Sequence, residues 1–377
     1  MEKKLESEIK QTIEQYKKSK SLSNRTILFN SAYGLIDVYA DLTKKTYSFH
    51  PRIKDIMFHN RLQLEQHRKL FHELSKPKYR DTVEQMSENG ITVIEDNIVL
   101  EEKTFTKHIN YNKACDIILA FFEKHNSILL LFVKNILSNN VIFCEIDSEK
   151  VGYSIHIQSL GKTYIVLYGN PNQITIEILI TLVHEIGHAI YNKNSKIINP
   201  YLKYNNFLEF LPHFLEQIFI EFCIENDIYK VECAKARYND ILVLYNYLIE
   251  LGITNQFIQK VNLKNLSLTL NLTDLQQAKN FDFEANEITF LDCHDNYLYS
   301  YGLLLGFYYY KLYKEIPNFA KQSIRNLMVN IDSNINLDSS NYLLNNYGIN
   351  LEELKSCEFL EEVIKETQKT LSKNTQI

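Results

Sequence analysis

The chain has 377 residues, enough for one large or two moderate domains with a substantial core. Its 45% hydrophobic and 23% charged content is ordinary for a soluble globular protein, and only 10 Gly and 6 Pro point to a mostly helical one. A net charge of −5, with no stretch that concentrates Lys and Arg among aromatics, argues against nucleic-acid binding.

The first residues, MEKKLESEIKQTIEQYKKSK, are charged throughout and lack the apolar centre of a signal peptide. No run of about 18 apolar residues occurs, so no membrane span is expected. Cys115, Cys144, Cys223, Cys233, Cys293 and Cys357 show no CxxC spacing and read as reduced core residues of a cytoplasmic protein. Residues 1 to about 86 read as helical. Leu5, Ile9 and Ile13 recur at helical spacing, and Ile53 to Leu74 sets dense charge beside an apolar stripe. His50, His59, His67 and His72 fall here; His67 and His72, five apart, cannot share a helix face and read as surface positions. Pro77 and Asn89-Gly90 break the helical pattern, and Ile91 to Glu102 reads as a small hairpin turning at Asp96-Asn97.

Tyr111 to Leu137 is helical again, in two pieces meeting near His125-Asn126. Val151 to Ile157 and Lys162 to Tyr168 alternate like strands and join through Ser159-Leu160-Gly161. Gly169-Asn170-Pro171-Asn172 then opens an apolar helix from Ile174 to Asn194, capped by either Asn172 or Thr175. That helix contains His184-Glu185-Ile186-Gly187-His188. Residues four apart share a helix face, so two imidazoles can reach one metal ion, with Glu185 beside them as a base. Burying these groups on an apolar helix without a common partner would be costly. A catalytic zinc site needs three protein ligands and an open position. Phe207 to Cys223 is a second apolar helix on which Glu209, His213 and Glu216 share one face. It carries no Lys or Arg to pair with them. Glu209 is the first choice of third ligand, with Glu216 orienting a ligand histidine; His213 is the competing ligand.

His294 to Lys314 is rich in tyrosine, and His294, Tyr297, Tyr301 and Tyr308 form one stripe, with Tyr299 on the opposite, core-facing side. Aromatic packing is the plain alternative for this stripe. Gly348 ends a helix, Asn350 caps the next, and Glu353 stands where a capping partner would, opening a closing αα-hairpin.

HEIGHAIY followed by FLEFLPHFLE resembles the thimet oligopeptidase and oligopeptidase F group of zinc metallopeptidases. Its pattern is HExGH, a loop, and a helix with a ligand Glu and a second Glu seven residues later. VGYSIHI and KTYIVLYGNPNQ precede the metal helix in the family's order. The likeness extends over about residues 108 to 377, while Tyr191 stands where many members carry a further histidine. It implies a catalytic domain at 108–377 behind a short helical amino-terminal region, 1–107. The implied fold is mainly α and zincin-like, with a small β-sheet beside the active-site helix. The implied site holds one zinc ion on His184, His188 and Glu209, with Glu185 as base and Glu216 behind the ligands. His294, Tyr301 and Tyr297 would bind substrate and the oxyanion. The strand with Tyr153 and His156 would hold the peptide backbone, His156 either lining the cleft or capping the edge. The expected function is zinc-dependent endoproteolysis of short peptides, with no nucleic-acid or membrane partner. A maturation protease dedicated to one leader or signalling peptide and a non-catalytic peptide-binding module are the alternatives.

Overall fold

The computed structural model describes residues 1–58, 77–147, 150–194, 209–260, 290–316, 318 and 348–372. These are mainly helical, with two small β-sheets. They fall into two compact units, Met1–Asn60 with Phe105–Asn194 and Ile218–Cys233, and Arg61–Thr104 with Ser195–Gln217 and Ala234–Ile377. Both units draw on both sides of residue 107. Among the described residues no helix is long and apolar enough to cross a membrane. His59, His67, His72 and the start of the expected helix at Phe207 lie outside the described residues; His50 is exposed.

The first unit is layered around a three-stranded sheet. Helix α1 (Glu2–Lys18) buries Leu5, Ile9 and Ile13 as its spacing requires, and α2 (Leu22–Thr43) starts on a Ser21 cap. Strands β2 (Val141–Cys144), β3 (Gly152–Ile157) and β4 (Lys162–Tyr168) are ordered β2-β4-β3. The expected hairpin forms, with His156 opposite Thr163 and Gly161 in the left-handed region (φ +57°) that closes the turn. Central β4 is buried at every residue after Lys162, which explains its unbroken apolar run. Tyr164, Val166 and Tyr168 pack with Leu5, Ile9, Leu35 and Val38. By alternation Ile165 and Leu167 take the other face. Strand β2, parallel to β4, was not legible beforehand, being four residues directly after a helix.

The expected helical pair forms as α3 (Tyr111–His125) and α4 (Ser127–Asn139). The metal-motif helix begins two residues later than expected. Ile174–Thr175 form strand β5, paired antiparallel with β1 (His108–Ile109), and helix α5 runs Ile176–Asn194. Thr175 is the cap: its Oγ1 accepts from the Ile178 amide at 3.2 Å, whereas the Asn172 amide donates to Asn170 Oδ1 within the preceding turn. Helix α5 packs against β3 and β4.

In the second unit the expected hairpin at Ile91–Glu102 is overturned. Helix α6 runs unbroken over Pro77–Asn97, through Asn89-Gly90. Val83, Met86, Gly90 and Ile94 are its buried stripe, a helical period that local alternation concealed. Gly90 serves close packing, not a turn: a Cβ there would come within 2.5 Å of Leu248 Cδ1. Leu248 belongs to α7 (Lys230–Lys260), and Ser87 Oγ donates to its carbonyl at 2.7 Å. Helix α8 (Phe210–Glu225) leads in, and α9 (Phe290–Glu315), α10 (Leu351–Ser356) and α11 (Phe359–Ser372) complete the described part. Asn350 caps α10 as expected, accepting from Glu352 N at 3.1 Å, while Glu353 binds the Asn350 amide group and Gly348 takes φ +68°. The described cysteines are free thiols; burial pushes Cys357 up to about 12.

Candidate metal centre

Helix α5 is apolar on nearly every face, so its polar residues are set among buried neighbours. Ile186, Ala189, Ile190 and Tyr191 are fully buried, Glu185 is buried, and His184 and His188 are half-buried. The spacing of four puts the two imidazoles together. Their Nε2 atoms are 3.1 Å apart and their ring centroids 4.8 Å, at 74°.

Glu209 stands immediately before α8, one position outside the helix that was expected to contain it. Its carbonyl accepts from the His213 amide at 3.1 Å, so the helical face still runs from Glu209 through His213 to Glu216. Glu209 and Glu216 are buried. Glu216 Oε2 lies 2.6 Å from His213 Nδ1. A carboxylate accepting the Nδ1 proton leaves Nε2 of a neutral ring as a lone-pair donor. Phe210 anchors the turn by an edge contact with Tyr309 of α9, ring centroids 4.7 Å apart.

Two groups of residues could hold a metal ion among those described: His184, His188 and Glu209, and His184, His213 and Glu216. Within each, one donor atom per residue lies within 4.8 Å of the others. Two donors on one tetrahedral ion with bonds of about 2.0–2.1 Å sit about 3.4 Å apart, so the 3.1 Å between the histidine nitrogens suits a shared ion. Both donor sets combine imidazole with carboxylate and fit a divalent cation.

The remaining expected site residues are placed differently. Tyr301 is buried on α9. His294 and Tyr297 also belong to α9, and their side chains lie outside the described residues. Tyr299 is 37% exposed and stacks on half-buried Tyr247 with centroids 5.6 Å apart, so the expected core position is corrected. Tyr308 is structural: its hydroxyl donates to Glu353 Oε2 at 2.9 Å and accepts from the Asn350 amide at 3.1 Å. Tyr153 points toward α2, its hydroxyl donating to Asp41 Oδ2 at 2.7 Å beside Tyr168, which does the same at 2.8 Å. Burial and that carboxylate both push the Tyr153 pKa up. His156 pairs across the hairpin, Nδ1 to Thr163 Oγ1 at 3.0 Å. Spacing alone did not single out Gly302 and Gly306 of α9, which lie against Glu209 and His213.

No protein-family model and no curated protein matches the chain. Among solved structures it is similar to a "putative peptidase" from Chlamydophila abortus, with 13% identity and a TM-score of 0.49 over 96% of this chain. The match takes in 63% of that protein's chain.

Proposed function

We propose that the chain is a zinc-dependent peptidase acting on short peptides, with His184, His188 and Glu209 as ligands and Glu185 as the base. The single observation that carries this reading is the grouping of those three donors within 4.8 Å of one another, one residue from a buried glutamate. Zinc bound there would supply a Lewis acid that polarises the scissile carbonyl and acidifies water. His184 and His188 would hold the ion through neutral nitrogens, and the Glu209 carboxylate would offset part of its charge. The carboxylate of Glu185 takes a proton from the attacking water and delivers it to the leaving amine. Burial of Glu185 keeps bulk water from competing for that proton.

Strand β3 supports the substrate side of the reading. Among the described residues it pairs with β4 alone, so its outer edge offers backbone donors and acceptors to an extended peptide. His156, on this strand, is the side chain nearest that role; Tyr153 contributes through its backbone, since its hydroxyl serves Asp41. On α9, Tyr301 with His294 would donate hydrogen bonds to the developing oxyanion, and Tyr297 would bind substrate.

The test is Glu185→Gln. The variant is expected to bind zinc like the wild type and to lose peptide hydrolysis by several orders of magnitude, measured on a panel of unrelated short peptides. Retained hydrolysis would sink the mechanism. Cleavage of only one peptide in the panel by the wild type would favour a dedicated maturation protease, and binding without cleavage a peptide-binding module. The second donor group supports one competing ligand set, His184 with His213 and Glu216, favoured by the 2.6 Å bond that already orients His213.

A further inference from the structure

We propose that Gly302 and Gly306 of α9 are positioning residues that fix the backbone carrying Glu209 and His213. The inference rests on the metal-site reading above and adds the support that sets its third ligand. A Cβ on Gly302 would come within 2.9 Å of the Glu209 carbonyl carbon and 3.1 Å of its Cα, and closer still to its Cβ. On Gly306 it would meet His213 Cβ at 2.8 Å, and the His213 carbonyl carbon and Phe214 N each at 3.1 Å. The two glycines are one helical turn apart, as are Glu209 and His213, so the two backbones touch at matched positions. One turn further along the same face of α9, Tyr309 meets Phe210 with centroids 4.7 Å apart and Phe214 at 5.9 Å. The α9 face that lies against the start of α8 is thus glycine backbone followed by a ring contact.

The atoms that lie against each glycine decide the consequence. At Gly90 the obstructing atom is the end of a leucine side chain, which can rotate away. At Gly302 they are the Cβ of Glu209 and the main chain to which it is rigidly joined, so relief requires the Glu209 backbone to move by roughly 1 Å to reach ordinary carbon–carbon separation. Metal–ligand distances tolerate only about 0.2 Å. A displaced carboxylate therefore loses its bond before the fold loses its packing.

The experiment measures zinc affinity of the full chain by competition with a chromophoric chelator, beside thermal melting and circular dichroism of the metal-free protein. Gly302→Ala and Gly306→Ala are expected to weaken zinc binding about 10–100-fold, the range for residues that orient metal ligands. Gly90→Ala, a comparably tight site on α6, is expected to lower the melting temperature and leave zinc affinity within about twofold, as for a site that touches no ligand. Unchanged affinity in Gly302→Ala overturns the proposal, as does an equal loss in Gly90→Ala, which would reduce the effect to general destabilisation. If Gly302→Ala does not fold, Gly306→Ala decides by the same criteria. Equal zinc affinity in the wild type and Glu209→Ala removes the underlying ligand assignment, and the positioning role falls with it.

Discussion

Glu209 and His213 leave the start of α8 on one face, and the structure gives each a different neighbour. Glu209 belongs to the candidate group with His184 and His188, while His213, with Glu216 at 2.6 Å, belongs to the second candidate group with His184. With the ion on the first group, His213 acts from outside the ligand set. Glu209→Ala should then abolish tight zinc binding, whereas His213→Ala should cost about tenfold, the scale of an outer contact. Titration of both variants with zinc checks this, and the reverse order would assign the ion to His184, His213 and Glu216. Shared helical faces were readable beforehand because 3.6 residues per turn is a property of the backbone. Partners were not: periodicity put Glu216 behind a ligand histidine without saying that His213 is the ring it holds. It likewise put Tyr299 on the side away from the stripe, without revealing that Tyr299 is exposed and stacks on Tyr247.

Among the elements, α6 and the α1–α2 pair show opposite outcomes of the same kind of reading. Asn89-Gly90 is a turn signal wherever the chain is free, yet here Gly90 is the contact that lets α6 approach Leu248, and the helix continues. The α1–α2 pair follows its pattern and adds a polar latch that no periodicity announces. Arg25 donates from Nε and a terminal nitrogen to the two oxygens of Asp55, at 3.0 and 3.1 Å, and Tyr16 donates to Oδ2 at 2.7 Å. Burial opposes the charge on Asp55, but the Arg25 fork and the Tyr16 hydroxyl outweigh it and hold its pKa below the ordinary value. A carboxyl with a lowered folded pKa stabilises above its unfolded value, about 4, and gives that up as pH falls through the folded one. Asp55→Asn should therefore lower the melting temperature at pH 7, with the difference from wild type shrinking below about pH 4. Melting curves across that range test it, and a constant difference at all pH values would count against the latch.

For the whole molecule, a metal that binds the folded chain but not the unfolded one raises stability by mass action. Zinc at 100 times its dissociation constant should add about 2.7 kcal/mol, and chelation should remove it. Calorimetry with zinc and with chelator is expected to differ by a few degrees in the transition, and Glu209→Ala should lose that difference. The sequence by itself determined the features that arise from local geometry. It specified the paired histidines on α5, the β3–β4 hairpin, the two-piece helix at α3 and α4, and the cap at Asn350. Each depends on residues within a turn or two, where backbone period and side-chain hydrogen bonding suffice. Tertiary structure alone decided that β2 completes the sheet, that His213 is the ring Glu216 holds, and that Gly90, Gly302 and Gly306 are sites of close approach. These are contacts between distant segments, and their existence depends on how whole helices and strands pack, which no short stretch of sequence encodes.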